Sequence, residues 1–165
     1  MYTIVGLGNP GEMYAETRHN TGRMAMEVLK AREIPKTKLV FLDTFMNKSG
    51  AGVGKVIKSK KAAEKLVVIY DDLDLPVGTM KISFNRGSGG HKGVESIIRA
   101  VKTKEFVRIR IGIGKKNDVE KHILGKFTPK EKLELKKVFK RVADAVEMIA
   151  SEGLEKAMTH FNTNG

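Results

Sequence analysis

The 165-residue chain contains no cysteine, so it can form neither disulfide bonds nor thiolate zinc sites. It has no apolar run approaching the ~20 residues that span a bilayer. Its first residues enter a strand-like run directly, without the basic and long apolar segments of a secretion signal. None of its four histidines pair at metal-ligand spacing on one helix. These absences predict a cytoplasmic protein that is not bound to a membrane and uses neither a metal nor a cofactor.

Acidic residues are scarce relative to basic ones. The chain carries 31 Lys and Arg residues against 19 Asp and Glu residues, which gives a net charge of +12. This excess favours a polyanionic partner, because contacts to phosphates release counterions and charge steers the encounter. A lysine-rich surface also keeps many heat-adapted proteins soluble. The charge alone therefore leaves both explanations open.

Short apolar runs alternate with helical patterns along the whole chain. Strands are predicted at Tyr2–Val5, Leu39–Leu42, Leu66–Tyr70, Lys81–Phe84 and Phe106–Ile113. Helices are predicted at Thr21–Arg32, Ser49–Ile57 with Ser49 as its N-cap, Gly93–Val101, Pro129–Ala150 and from Leu154 onward. The helix from Pro129 is well marked, because Thr128 and Glu131 have capping-box spacing around a proline. No linker or repeat interrupts this order, which predicts one α/β domain over residues 1–165.

The loop after the first strand looks at first like a cofactor site, because Gly6–Gly11 spells G-x-G-x-x-G. Pro10 argues against a dinucleotide, since it removes an amide donor from the loop that would hold the pyrophosphate. The next acid at a strand end, Asp43, lies later than the ~20 residues expected for a ribose ligand. The glycine-rich segment Gly87–Gly93 lacks the spacing of a P-loop. Neither loop is predicted to bind a nucleotide cofactor.

Three polar segments follow apolar runs, and side chains at strand ends commonly form the sites of α/β sheets. Together they supply one imidazole, one carboxylate and two amides, from His19, Asp71, Asn9 and Asn47. Histidine has an ordinary pKa near ~6.5 and can take a proton from water at neutral pH. This set has the chemistry for hydrolysis without a metal or a cofactor.

Six segments, taken in order, resemble the bacterial-type peptidyl-tRNA hydrolase family. They are Gly6–Gly11 with Tyr14 and Thr17–Asn20, Phe45–Gly50, Asp71–Pro76, Gly89–Gly93, Arg108–Gly114 and Leu124–Phe127. The resemblance runs through nearly the whole chain and implies a compact domain with a mixed, mostly parallel sheet flanked by helices. It also implies a monomer without an obligate protein partner that hydrolyses the ester between a peptide and tRNA. The stretch Ala31–Phe41 is short for the family, which implies a shortened peripheral strand region.

The resemblance implies three catalytic residues. His19 is the expected general base, and Asp71 is expected to accept its other N–H, fixing the tautomer and stabilising the charged ring. Asn9 is expected to hold the substrate and to help distinguish a blocked amino group from a free one. The alternatives are a structural histidine and, for Asn9 and Asn47, a loop-capping role.

Other positions are expected, by resemblance, to contact peptidyl-tRNA: Tyr14, Phe45, Asn47, His91, Lys92 and Arg110. An aromatic ring at the tRNA end can stack on the terminal base, although Phe45 could equally belong to the core. Asp72 and Asp74 are interpreted as loop and surface residues.

Two departures from the family pattern affect this set. Lys92 stands where asparagine is usual. In the family, a lysine and an arginine usually bind the tRNA 5′-phosphate. Arg110 matches the arginine, but Ser83 stands in the place of the lysine. Lys81 and Arg86 are the candidates to replace that lysine.

A second class of function stays open at this stage. Some plastid relatives keep the fold and the basic face but act in intron splicing, as RNA-binding proteins without turnover. The presence of His19, Asp71, Asn9 and Asn47 favours the enzyme.

Overall fold

A five-stranded sheet organises the computed structural model, which describes residues 1–162. The strands are β1 (Tyr2–Gly6), β2 (Thr37–Leu39), β3 (Leu66–Asp72), β4 (Met80–Phe84) and β5 (Val107–Gly112). They lie in the order β2-β1-β3-β5-β4, and every neighbouring pair is parallel except β4 and β5. The predicted mixed, mostly parallel sheet is confirmed.

Helices cover both faces of the sheet. They are α1 (Thr21–Arg32), α2 (Ser49–Gly54), α3 (Lys60–Ala63), α4 (Lys92–Val101), α5 (Val119–Ile123), α6 (Pro129–Glu152) and α7 (Leu154–Asn162). One core cluster joins the sheet to α1, α6 and α7, and a second joins the other face to α2, α3 and α4. The sequence did not predict α3 and α5, because helices this short show no periodicity. In the described part of the chain, no helix is long and apolar enough to cross a membrane.

The start of α6 forms the capping box that its sequence predicts. The Thr128 hydroxyl accepts a hydrogen bond from the Glu131 amide at 3.1 Å, and the Glu131 carboxylate accepts one from the Thr128 amide at 2.9 Å. Arg18 also donates to the Glu131 carboxylate, at 3.2 Å. Since Arg18 lies just before α1, this contact joins the start of the longest helix to the neighbourhood of His19.

The second strand is shifted from its predicted place at Leu39–Leu42. In the structure it is Thr37–Leu39, and a last hydrogen bond runs from the Val40 amide to the Ile4 carbonyl at 2.9 Å. Leu42 then leaves the sheet and joins the core beneath α2. It packs so closely that a Cβ atom on Gly52 would lie 2.7 Å from its Cδ2. The apolar run reflects burial under a helix as well as strand pairing.

The predicted helix Ser49–Ile57 is also shorter, and Ser49 does not cap it. The helix ends at Gly54, and the Ser49 hydroxyl donates backward to the Met46 carbonyl at 2.7 Å. Gly50 allows α2 to cross α4 closely, since a Cβ there would lie 2.1 Å from the Ser96 carbonyl oxygen. The Gly50 amide donates to the Ser96 hydroxyl at 2.8 Å. These glycines weaken the helix but permit the crossing.

The strand predicted at Phe106–Ile113 is confirmed as β5, one residue shorter at each end, but Arg108 is fully buried. Its guanidinium donates to the carbonyls of Lys104 at 2.8 Å, of Phe106 at 2.6 Å and of Arg86. Burial lowers the pKa of Arg108 to about 10, so it remains charged at neutral pH. Arg108 thereby fixes the beginning of the glycine-rich loop that leads to His91.

Candidate active site

The candidate site lies where β1 and β3 end and where α1 and α4 begin. His19 belongs to a single 3₁₀ turn, Arg18–Asn20, directly before α1. Asp71 is near the end of β3, and His91 is the residue that caps α4. Because β1 and β3 are parallel neighbours, their carboxyl ends meet at one edge of the sheet. The sheet therefore brings together the two residues predicted as base and partner.

Asp71 contacts two histidines rather than one. Its Oδ2 lies 2.7 Å from His19 Nδ1, and its Oδ1 lies 2.9 Å from His91 Nε2. The carboxylate is 4% exposed, and the two imidazole rings lie 5.0 Å apart at an angle of 47°. The pairing of His19 with Asp71 matches the prediction. His91 was predicted only as a substrate contact, and its hydrogen bond to Asp71 was not predicted.

The environment of Asp71 keeps it ionised. Burial by itself would raise its pKa, but the electrostatic attraction of His91 and the hydrogen bonds from both imidazoles outweigh burial. The pKa of Asp71 therefore lies well below its ordinary value. At neutral pH the side chain is a pure hydrogen-bond acceptor for both rings.

The start of α4 determines which nitrogen of His91 carries hydrogen. His91 Nδ1 accepts from the amides of Gly93 at 3.2 Å and Val94 at 3.4 Å. We therefore assign the hydrogen to Nε2, which donates to Asp71. His19 donates to the same carboxylate through Nδ1, which leaves its Nε2 as the basic nitrogen. Within residues 1–162, His19 Nε2 has no hydrogen-bond partner.

Asn9 holds the loop after β1 against the turn Met46–Lys48. Its Oδ1 accepts from the Met46 amide at 2.7 Å, and its backbone forms two hydrogen bonds with the Asn20 side chain, at 2.8 and 2.9 Å. Asn20 was not singled out from the sequence. A Cβ on Gly8 would lie 2.9 Å from its Cγ, so the glycine makes room for this bridge. The fixed Oδ1 leaves the Nδ2 of Asn9 without a partner in the described chain.

Two cavities, of about 660 Å³ and 540 Å³, meet at His19. We name the larger cavity A and the smaller cavity B. Among residues 1–162, Lys92 and Leu124 are the only others besides His19 that line both. Cavity A extends over the ends of β3 and the glycine-rich loop to α5, and cavity B brings together Asn9, Tyr14, Phe45, Met46, Asn47 and Lys48. The imidazole thus lies where two binding spaces join.

The aromatic residues of cavity B are available at the surface. Phe45 is 54% exposed, so the alternative that it belongs to the core is wrong. Its ring lies edge-to-face with that of Tyr14, with centroids 6.4 Å apart. Asn47 is exposed on the same wall. Tyr14, Phe45 and Asn47 therefore share one cavity with Asn9, as a common role in substrate binding requires.

The interpretation of Asp72 as a loop and surface residue is wrong. Asp72 is the last residue of β3, and its Oδ2 accepts from Arg110 Nη1 at 2.8 Å, with only 14% of its side chain exposed. Arg110 Nε also donates to the Ser83 hydroxyl at 3.2 Å. Arg110 lines cavity A, but Asp72 compensates its charge. Of the two candidates to act beside Arg110, Arg86 lines the same cavity, whereas Lys81 does not.

His19, Asp71 and His91 have one nitrogen or oxygen each within 4.8 Å of one another, which is close enough to consider a shared metal ion. Two ligands of a tetrahedral zinc ion, each about 2.0–2.1 Å from it, lie roughly 3.3 Å apart. The 2.7 Å between His19 Nδ1 and Asp71 Oδ2 is shorter than this and matches a charge-assisted hydrogen bond. The geometry fits proton sharing better than metal ligation.

The comparisons with known proteins point in one direction. The family model described as peptidyl-tRNA hydrolase matches residues 3–165. The peptidyl-tRNA hydrolase of Thermodesulfovibrio yellowstonii is 39% identical over 185 aligned residues, covering 98% of this chain and 99% of the relative. That of Chloroflexus aggregans is 42% identical over 186 residues, with coverage of 98% and 99%. The crystal structure of peptidyl-tRNA hydrolase from Acinetobacter baumannii superposes with a TM-score of 0.88 at 29% identity, covering 98% of this chain and 94% of that one.

Proposed function

The chain belongs to the peptidyl-tRNA hydrolase family, whose reaction is hydrolysis of the ester between a peptide and tRNA, and we propose that His19 is the general base of this reaction here. The observation that carries the assignment is the buried 2.7 Å hydrogen bond between His19 and Asp71 beside two open cavities. The alternative of an RNA-binding relative without turnover is not favoured, since the relatives are named as hydrolases.

His19 Nε2 takes a proton from a water molecule as the water oxygen attacks the ester carbonyl carbon. Asp71 accepts the Nδ1 hydrogen and stabilises the imidazolium ion that forms. The tetrahedral intermediate then collapses, the carbon–oxygen bond to the ribose breaks, and the imidazolium returns its proton to the leaving ribose oxygen. The peptide, now a free carboxylic acid, and the tRNA then leave the site. A general base positioned in this way accelerates such a reaction roughly 10²–10⁴-fold.

Asn9 is the best-placed donor for the substrate carbonyl. The Met46 amide fixes its Oδ1 at 2.7 Å, so the orientation of its Nδ2 is set before substrate binds. Such preorganised donors stabilise a developing negative charge without reorganisation at the moment of reaction. Asn47, on the wall of the same cavity, is proposed to bind the acyl group beside it.

Five further residues are proposed to bind the substrate around this centre. The half-buried Tyr14 and the exposed Phe45 present their rings to cavity B, where they can pack against the acylated 3′ end of the tRNA. His91 is proposed to contact the substrate from cavity A while it holds Asp71. Arg110 is proposed to contact tRNA phosphate together with Arg86, although its pairing with Asp72 reduces the charge it offers.

We also propose that the protein acts as a single-domain monomer in the cytoplasm, where peptidyl-tRNA arises. Two features of the sheet edges support the monomer. Strand β2 has only three residues, and the Asn162 side chain both accepts from the Ile82 amide and donates to its carbonyl, at 2.9 Å each. Neither edge offers a long row of free backbone groups to a second copy.

The test is hydrolysis of N-acetylated aminoacyl-tRNA beside the same aminoacyl-tRNA with a free amino group. Wild-type protein is expected to cleave the blocked ester and to leave the unblocked one largely intact. His19→Ala is expected to lose roughly 10²-fold or more in kcat while its melting temperature stays within a few degrees. A wild-type protein that binds both substrates and cleaves neither would refute the proposed reaction.

A further inference from the structure

Lys92 is an exposed cation beside the catalytic centre that has no partner. Its ammonium group forms no hydrogen bond and no ion pair among residues 1–162. The neighbouring acids are engaged elsewhere: Asp71 with the two histidines, Asp72 with Arg110 at 2.8 Å, and Asp74 with Lys115 at 3.8 Å. Glu120, across cavity A, has no ion pair and forms none with Lys92. Glu95, one turn along α4, accepts from the Ser88 hydroxyl at 3.3 Å, so Lys92 has no ion-pair partner in the described part of the chain.

The position of Lys92 brings this charge to the reacting ester. Lys92 lines both cavities, as do His19 and Leu124. Because the acylated 3′ end is proposed to bind in cavity B and tRNA phosphate in cavity A, Lys92 borders both parts of the substrate. Lys92 is also the first residue of α4, where the helix dipole disfavours a cation. A positive charge at this place, bordering both cavities, points to an anionic ligand.

The substrate offers two anions near this junction: the oxyanion of the tetrahedral intermediate and the phosphodiester on the 5′ side of the terminal adenosine. An oxyanion donor has to be held in place before the reaction. Asn9 is held in this way, but the flexible lysine side chain has nothing to fix it. A hydrated point charge on a flexible stem suits a phosphate instead, which accepts from many directions.

We propose that Lys92 binds the phosphate of the 3′-terminal nucleotide and so makes this enzyme sensitive to the charge of that phosphate. The inference rests on the proposed hydrolysis, since it concerns the substrate of the same site. It makes Lys92 a specificity residue rather than a catalytic one. Its contribution appears in substrate binding and depends on salt.

A matched pair of small substrates isolates this contact. One is the 3′-ester of N-acetylphenylalanine with adenosine, and the other is the same ester of adenosine 5′-monophosphate. The enzymes to compare are wild type, Lys92→Gln, Lys92→Arg and Arg99→Gln. Arg99 is an exposed cation later in α4 that lines neither cavity, so its loss matches the change in net charge.

At low salt, wild type and Arg99→Gln are expected to cleave the phosphorylated ester with a kcat/KM roughly three- to fivefold higher than that for the unphosphorylated ester. This is the size of effect expected from one exposed ion pair. Lys92→Gln should cleave both esters equally, and Lys92→Arg should keep the preference. A preference that survives in Lys92→Gln, or a wild type that shows none, refutes the proposal. If Lys92→Gln instead lost kcat equally on both esters, Lys92 would be a donor to the oxyanion, and the phosphate proposal would be wrong. Failure of wild type to cleave either ester or N-acetylated aminoacyl-tRNA would refute the proposed function instead.

Discussion

Replacing Asp71 by asparagine keeps the size of the side chain but turns one of its two oxygen acceptors into a donor. In the structure both oxygens accept, from His19 Nδ1 at 2.7 Å and from His91 Nε2 at 2.9 Å. The hydrogen on His91 cannot move to Nδ1, because that nitrogen accepts from the first amides of α4. The amide oxygen is therefore required at His91, and the amide NH₂ group faces His19. Because the NH₂ group is a donor, His19 Nδ1 must become the acceptor, and the imidazole hydrogen moves to Nε2. A His19 with hydrogen on Nε2 cannot accept the proton of the attacking water there.

The size of the effect follows from these contacts. In the opposite orientation of the amide, its NH₂ group and the His91 N–H group face each other as donors. A buried donor left unsatisfied costs about 1–3 kcal/mol, so the competent orientation holds roughly one molecule in five to one in 150. The neutral amide also no longer stabilises the imidazolium ion. Together we expect kcat to fall about 10²–10⁴-fold, the range that a general base contributes.

Single-turnover hydrolysis of N-acetylated aminoacyl-tRNA measures this loss, with thermal unfolding as the check on folding. Asp43→Asn is the control, since Asp43 is exposed and lines neither cavity. The double variant Asp71→Asn, His91→Ala should be faster than Asp71→Asn alone, because the amide can then turn its oxygen to His19. A single-turnover rate of Asp71→Asn within tenfold of wild type would contradict the proposed change of tautomer in His19. A double variant slower than Asp71→Asn would contradict it as well.

Three other measurements test separate parts of the structure. Asn9→Asp keeps the acceptor for the Met46 amide but loses the donor toward cavity B. We therefore expect kcat/KM to fall about 10²-fold at an unchanged melting temperature. Undiminished activity would exclude Asn9 as a donor. Because the pKa of Asp71 in the folded protein lies below its ordinary value of 3.8, its carboxylate stabilises the fold above that pH. The difference in free energy of urea unfolding between wild type and Asp71→Asn should therefore shrink below pH about 4, and a difference independent of pH would contradict this. Asn162→Ala removes both side-chain hydrogen bonds to Ile82 and should lower the free energy of unfolding by about 1–3 kcal/mol; an unchanged denaturation midpoint would mean that they contribute nothing.

Much of the sheet follows from the sequence, and the pairing of His19 with Asp71 was expected from the resemblance to the family. The buried strands read as continuous apolar runs, a signal that each segment carries by itself. The capping box at Thr128 likewise depends only on residues within one turn of helix. Signals of this kind are local, so a single sequence carries them.

Packing across the sheet decided the features that local patterns do not contain. Leu42 reads as part of a strand, yet α2 buries it outside the sheet. Arg108 occupies the polar phase of an alternating strand, but loop carbonyls surround its guanidinium and leave it fully buried. Alternation specifies which face of a strand a residue is on, while the segments that cover that face determine its exposure.

The amino-acid sequence by itself determined which groups the site contains: an imidazole, a carboxylate and amides at the ends of strands. Only the tertiary structure decided how they are connected. The start of α4 makes His91 a second donor to Asp71, β5 brings Arg110 to Asp72, and two cavities meet at Lys92. These contacts join segments 20 or more residues apart, and a hydrogen bond forms only within about 3 Å. Sequence spacing does not fix distances of that size, because they depend on how helices and loops pack onto the finished sheet.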